Sequence, residues 1–184
     1  VLSYVRSKPE LYDLKRLTIS GFSAGANLAL SLSASSVASQ GSEGVKSVQA
    51  FYPKTDFTRI GDSAPNKSRM RSGIDLSPFL VDLFNRSYVL PNQSRSDVRL
   101  SPHFFESQRF PKRINVFCGD CDLLYPDAKE FVERLRKEGK ELVLFHTIEG
   151  EGHAWDKMAR TKESREERDR CYQLSIESIL ESWE

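Results

Sequence analysis

Ser23 stands between Gly21 and Gly25, two residues from each, in the stretch GFSAGAN. An apolar run precedes it and small helix-forming residues follow. That pattern suits a serine on a sharp strand-to-helix turn, its hydroxyl thrust out and its backbone strained. The alternative is an ordinary serine in a glycine-rich loop. Glycine is expected at 21 and 25 because side chains there would collide across the turn. The helix after the turn points its N-terminus at the serine, so the N–H of Ala24 can hold a developing oxyanion.

A serine hydroxyl attacks at neutral pH only with a base beside it and a group that orients the base. The chain has three histidines. His153 lies in EGEGHAWD, a glycine-flanked loop directly after an apolar run, where open α/β sheets carry their reactive groups. His146 lies inside that run, LVLFHTIE, and reads as a histidine hydrogen-bonded and packed beside a sheet. His103 lies in SPHFF. His153 is therefore the candidate base. The acid should follow a strand between serine and histidine in the chain. CGDCDLLYPDA offers Asp120, Asp122 and Asp127. Asp127 falls in the first turn of a helix, where the dipole favours a carboxylate and explains it. Asp120 and Asp122 both stay open on these grounds.

These residues need elements to hold them. Val1–Arg6 reads as a helix stopped near Pro9, and Leu14–Ser20 as a strand. Residues 24–39 read as a buried helix packing through small residues, 41–44 as a turn, and 45–53 as a second strand. RINVFCGD is a buried strand, 126–138 an amphipathic helix started by Pro126 and ended by Gly139, and ELVLFHTIE a fourth strand. A final helix is expected to bury Tyr172, Ile176, Ile179 and Trp183. The alternation predicts an α/β fold: a mostly parallel sheet with helices on both faces. Residues 54–112 break it. They carry five of the eight prolines and one apolar helical patch, capped by Ser77 before Pro78. They read as a cap-like insertion lying over the sheet. Phe79, Leu80, Leu83, Phe84 and Tyr88 are then candidates for an apolar pocket wall. The competing reading is that they only pack the insertion down.

GFSAGANLAL, FYPKTDFT, LSPHFF with FPKRINVFCGDCDLLYPDAKEFVERL, and EGEGHAWD come in order along the chain. Together they resemble successive blocks of the α/β-hydrolase fold, in its hormone-sensitive-lipase-like esterase branch. The resemblance implies a single catalytic domain over 1–184. It selects Asp122 over Asp120, because Asp122, Leu124 and Asp127 match the family's acid block. His153, Ala154 and Trp155 match its histidine loop. It implies hydrolysis of short- to medium-chain carboxylic esters through Ser23, His153 and Asp122, with no metal or cofactor. A peptidase or amidase of the same fold, a ligand-binding protein and a catalytically incomplete piece are the alternatives. The family's His-Gly-Gly-Gly stretch, which completes its oxyanion hole, does not occur in these 184 residues. Neither do the first strands of its sheet, so the chain is expected to be the C-terminal part of a longer domain, cut inside a helix. With imidazole as base, hydrolysis is expected to rise with pH near ~6.5. Family members dimerise through sheet edges or helices, so a homodimer is one expected partner.

Bulk properties narrow the classes. Lysine and arginine number 27 against 26 acidic residues, a net charge of +1, which gives no electrostatic footprint for nucleic acid. No apolar stretch approaches a membrane span. Cys118, Cys121 and Cys171 are too few for a disulfide framework. The Cys118–Cys121 spacing fits a redox pair or half a zinc site, but without a second pair it reads as two plain thiols. Unpaired cysteines favour a reducing, cytoplasmic setting.

Overall fold

The computed structural model describes residues 1–38, 43–59 and 64–184. Four parallel strands lie side by side in chain order: β1 (Thr18–Phe22), β2 (Ser47–Phe51), β3 (Arg113–Gly119) and β4 (Leu142–Ile148). The helices are α1 (Leu2–Arg6), α2 (Ala24–Ser33), α3 (Pro78–Tyr88), α4 (Tyr125–Lys137) and α5 (Lys162–Glu181). α2 packs on β1 and β2, α4 on β3 and β4, and α5 on β3. This is the parallel sheet with flanking helices that the alternation implied. No helix among the described residues is long and apolar enough to cross a membrane.

Alternation along β2 and β3 divides the core into two chemistries. Val48, Ala50, Ile114, Val116 and Cys118 are fully buried on one face. On the other, Asn115 Nδ2 donates to Gln49 Oε1 at 3.0 Å, and Ser175 of α5 donates to the same oxygen at 3.4 Å. Small polar residues therefore line α5 where it meets the sheet: Ser164, Cys171, Ser175 and Ser178 are buried. The apolar stripe expected from Tyr172, Ile176, Ile179 and Trp183 is not the buried one, and Ile176 is exposed. The Gln49–Asn115 pair on this face asks for hydroxyls, and small side chains let the helix approach closely.

The same face carries an aromatic ladder. Register places Phe22 beside Phe51, Phe51 beside Phe117 and Phe117 beside His146. Their rings stack at 4.7, 4.5 and 4.5 Å, one per strand across the whole sheet. The Lys157 ammonium lies 3.7 Å from the Phe22 centroid at the open end.

Element boundaries move for local reasons. β1 starts at Thr18 rather than Leu14 and runs on to Phe22. α2 stops at Ser33, short of residue 39, which itself lies outside the described residues. The Ser33 and Ser35 hydroxyls turn back onto the Leu30 and Leu32 carbonyls, competing with the helical bonds. Gly41 and Ser42 of the expected turn also lie outside the described residues. α4 ends as expected at Gly139, whose φ of +86° closes the helix.

Residues 52–112 lie between β2 and β3 and include α3; 60–63 are outside the described residues. Ser77 caps α3, accepting from the Leu80 N–H, with Pro78 in the first turn. Part of this insertion is tied by its backbone to the loop after β4. The Arg71 N–H donates to the Gly150 carbonyl, Gly152 donates to Ser72, and Ile74 and His153 exchange both bonds.

Candidate active site

Ser23, Asp122 and His153 each follow the carboxyl end of a strand, on the loops after β1, β3 and β4. Ser23 adopts φ 52° and ψ −119°, a conformation that side chains rarely tolerate. Its N–H donates to the Phe51 carbonyl, and its own carbonyl accepts from Ala26 and Asn27, which locks the turn. Gly21 is required there: a Cβ would sit 2.1 Å from the Gly25 carbonyl oxygen. Gly25 is not, since a Cβ at that position meets nothing within 4 Å. The collision expected at both glycines is one-sided, because the helix has already turned away by residue 25.

Ser23 Oγ lies 2.8 Å from His153 Nε2, and His153 Nδ1 lies 2.8 Å from Asp122 Oδ2. The carboxylate assigns the proton to Nδ1 and leaves Nε2 to accept from the hydroxyl. Asp122 is buried, and its other oxygen accepts from the Leu124 N–H at 2.9 Å. Ala24 begins α2, where the first N–H groups have no intrahelical partner, so its amide sits beside Ser23 with its donor free for an incoming oxygen.

Asp120 is brought elsewhere. It accepts from the Gly150 N–H at 2.7 Å, Arg69 at 2.9 Å and Asn66 at 3.1 Å, joining the insertion to the loop that carries His153. Gly119 lets those loops touch: a Cβ there would lie 2.0 Å from the Glu151 carbonyl oxygen. His146 is the last rung of the aromatic ladder, inside β4 two residues before its carboxyl end. It is packed as expected but not hydrogen-bonded through Nε2. Burial lowers its pKa and that of His103, which sits against Phe104.

The histidine loop rests on Tyr52 and Asp156, which the sequence did not single out. Tyr52 meets the His153 ring edge-on at 4.8 Å. Its hydroxyl donates to Asp156 at 2.7 Å, and Tyr172 donates to the other oxygen at 2.5 Å. Burial, then the Asp156 contact, pushes the Tyr52 pKa far up, so it stays a neutral donor. Asp156 follows His153 by three residues, and Trp155 between them is fully buried, so the loop is anchored immediately beside the base.

A cavity of about 550 Å³ opens above Ser23 and His153. Phe84 and Tyr88 line it. Phe79, Leu80 and Leu83 do not; Phe79 is 74% exposed. α3 turns Val81 and Asn85 inward instead, with Val81 packed on Ala64, Leu76 and Leu123, so the more apolar flank faces out. Leu28, Phe57 and Leu124 complete the apolar wall.

Lys54 also lines the cavity, and its Nζ bonds Asp127 at 2.5 Å with both side chains buried. Asp127 thus has a partner beyond the helix dipole. Lys54→Met strands that carboxylate and is expected to cost about 3–5 kcal/mol in urea unfolding. Adding Asp127→Leu is expected to recover most of the loss. A Lys54→Met protein as stable as the parent would show the pair to be dispensable.

Cys118, Cys121 and Cys171 are buried free thiols. Burial pushes Cys121 to about 11 and Cys171 to about 12. Among the described residues, no three His, Cys, Asp or Glu side chains gather as metal ligands do.

The fold has counterparts among solved structures. The hyperthermophilic esterase of the archaeon Pyrobaculum calidifontis superposes with a TM-score of 0.73 at 22% identity, over 97% of this chain and 58% of that one. Carboxyl esterase 2 of the mycorrhizal fungus Tuber melanosporum gives 0.70 at 18%, over 99% and 58%. An alpha/beta hydrolase from the metagenome of Lake Arreo, Spain, gives 0.75 at 23%, over 92% and 53%. The chain therefore spans a little more than half the length of these structures. No curated protein matches it. The family model of the alpha/beta hydrolase fold matches residues 1–157, and the chain belongs to that family.

Proposed function

We propose that this chain carries the catalytic centre of a serine carboxylesterase acting on short- to medium-chain acyl esters. The observation that carries the proposal is the unbroken hydrogen-bonded line Asp122–His153–Ser23 at the floor of an apolar cavity. His153 Nε2 takes the Ser23 proton as Oγ attacks the ester carbonyl, and Asp122 stabilises the imidazolium. The Ala24 N–H donates to the oxyanion. Collapse transfers the imidazolium proton to the leaving alcohol and leaves an acyl-Ser23 ester. Water, deprotonated by His153, attacks that ester and releases the acid and the serine. The apolar wall takes the acyl chain. The structures named above as esterases share the fold and support the reading.

The test is turnover of p-nitrophenyl butyrate by the intact polypeptide carrying this chain, beside the matching p-nitroanilide. The ester is expected to be hydrolysed and the anilide to lag far behind. Faster anilide turnover would make the protein an amidase. Tight ligand binding without turnover of either would make it a binding protein.

A further inference from the structure

Ser23 follows β1 and His153 follows β4, the two outer members of the four described strands. Each ladder joins only neighbours, so small displacements add across the sheet between them. The serine proton must nevertheless cross a single 2.8 Å contact. One side chain links the two sides directly. Phe22 immediately precedes Ser23, and the Lys157 ammonium lies over its ring, 3.7 Å from the centroid. The same ammonium lies 2.7 Å from Asp156 Oδ2 and donates to the Tyr172 hydroxyl at 2.9 Å. Lys157 closes the turn after His153, its N–H donating to the Ala154 carbonyl at 3.1 Å. A lysine ammonium is strongly hydrated on a flexible stem, and an exposed lysine–carboxylate pair by itself contributes little. This one is half exposed yet held by three partners, and its carboxylate is buried.

We propose that Lys157 is a positioning residue for the hydrolysis, clipping the serine elbow at Phe22 to the histidine loop at Asp156 and to α5 at Tyr172. The inference rests on the esterase reading above. Among the described residues Lys157 makes no hydrogen bond to Ser23 or His153, so it acts through Phe22 and Asp156. Phe22 is joined in the chain to Ser23, whose backbone already holds a φ of 52°, and a tilt at Phe22 turns the elbow. Asp156 in turn receives the Tyr52 hydroxyl, and Tyr52 meets the His153 ring. The clip therefore bears on both partners of the proton transfer. A displacement of about 1 Å between reacting groups can cost about a hundredfold in rate.

The experiment measures kcat and KM for p-nitrophenyl butyrate on the intact polypeptide, well below the lowest melting midpoint among the variants. Lys157→Met is expected to lower kcat by about tenfold and leave KM within about twofold, since Lys157 is no part of the cavity wall. Lys157→Arg is expected to recover most of that rate, because a guanidinium both stacks on a ring and bonds a carboxylate. Phe22→Leu removes the ring face and is expected to lower kcat as far, and Phe22→Leu with Lys157→Met no further than either alone. Phe22→Tyr keeps a ring face and is expected to hold the parent rate, so the comparison stands even where Lys157→Met does not fold. Four results would overturn the proposal: Lys157→Met at the parent's kcat, an arginine variant as slow as the methionine one, Phe22→Leu as fast as Phe22→Tyr, or losses that multiply in the double variant. The first, with a lowered melting midpoint, would make the ammonium merely a structural partner of Asp156. Failure of the parent on every ester is different, and would remove the esterase reading itself.

Discussion

Ser23→Ala is expected to lower kcat for p-nitrophenyl butyrate by on the order of 10⁵–10⁶-fold, the loss seen when a serine that forms the covalent bond is removed. KM is expected to move little, because the cavity walls from Leu28, Phe57, Val81 and Tyr88 remain. Stability separates chemistry from strain. Alanine carries a Cβ and inherits the φ of 52°, so Ser23→Ala is expected to unfold near the parent's midpoint. Ser23→Gly removes the steric penalty of that backbone and is expected to gain about 1 kcal/mol while being equally inactive. The pair of variants therefore reads the cost of the elbow and its use in one comparison. Thermal melts and single-turnover acylation supply the numbers. A Ser23→Ala protein keeping more than a few per cent of the parent rate would remove Ser23 as nucleophile, and with it the role given to His153.

The elbow was legible because its chemistry is local. Gly21, Ser23 and the helix after them need only seven residues of sequence, and the turn cannot form with a side chain at 21. α4 was legible for the same reason: Ala128, Phe131, Val132 and Leu135 mark one face, and all are buried. The failures share a cause as well. Apolar periodicity in α3 predicts the inward face only if the helix packs its most apolar side down, and here it packs Val81 and Asn85. α5 meets the sheet at the polar Gln49–Asn115 pair, so its buried stripe is Cys171, Ser175 and Ser178, which no hydrophobic count marks. The Lys54–Asp127 pair joins residues 73 apart, and the ladder from Phe22 to His146 exists only once strand register is known. Asp156 was in plain view beside His153, but only the approach of Tyr52 and Tyr172 gives it a purpose.

The choice between Asp120 and Asp122 was left open by residue reasoning, and it yields the second large effect. Asp122→Asn is expected to cut kcat by on the order of 10⁴-fold with the fold intact. The carboxylate Oδ2 accepts the Nδ1 proton of His153. An amide can instead offer its own N–H to that nitrogen, which moves the imidazole proton to Nε2. The nitrogen facing Ser23 then has no lone pair for the serine proton, so catalysis fails although every distance survives. Asp120→Asn is expected to behave in the opposite way. Asp120 is acceptor to Gly150, Asn66 and Arg69, and it reaches neither His153 nor Ser23 by any hydrogen bond of the described residues. Losing its charge weakens the tie between the insertion and the histidine loop, at an expected cost of about 1–3 kcal/mol, with kcat held within about tenfold. Measuring kcat and urea midpoints on both variants separates the roles. If Asp120→Asn were the dead one, His153 would have to swing toward Asp120 when substrate binds, and the loop anchored by Trp155 and Asp156 would have to be the part that moves.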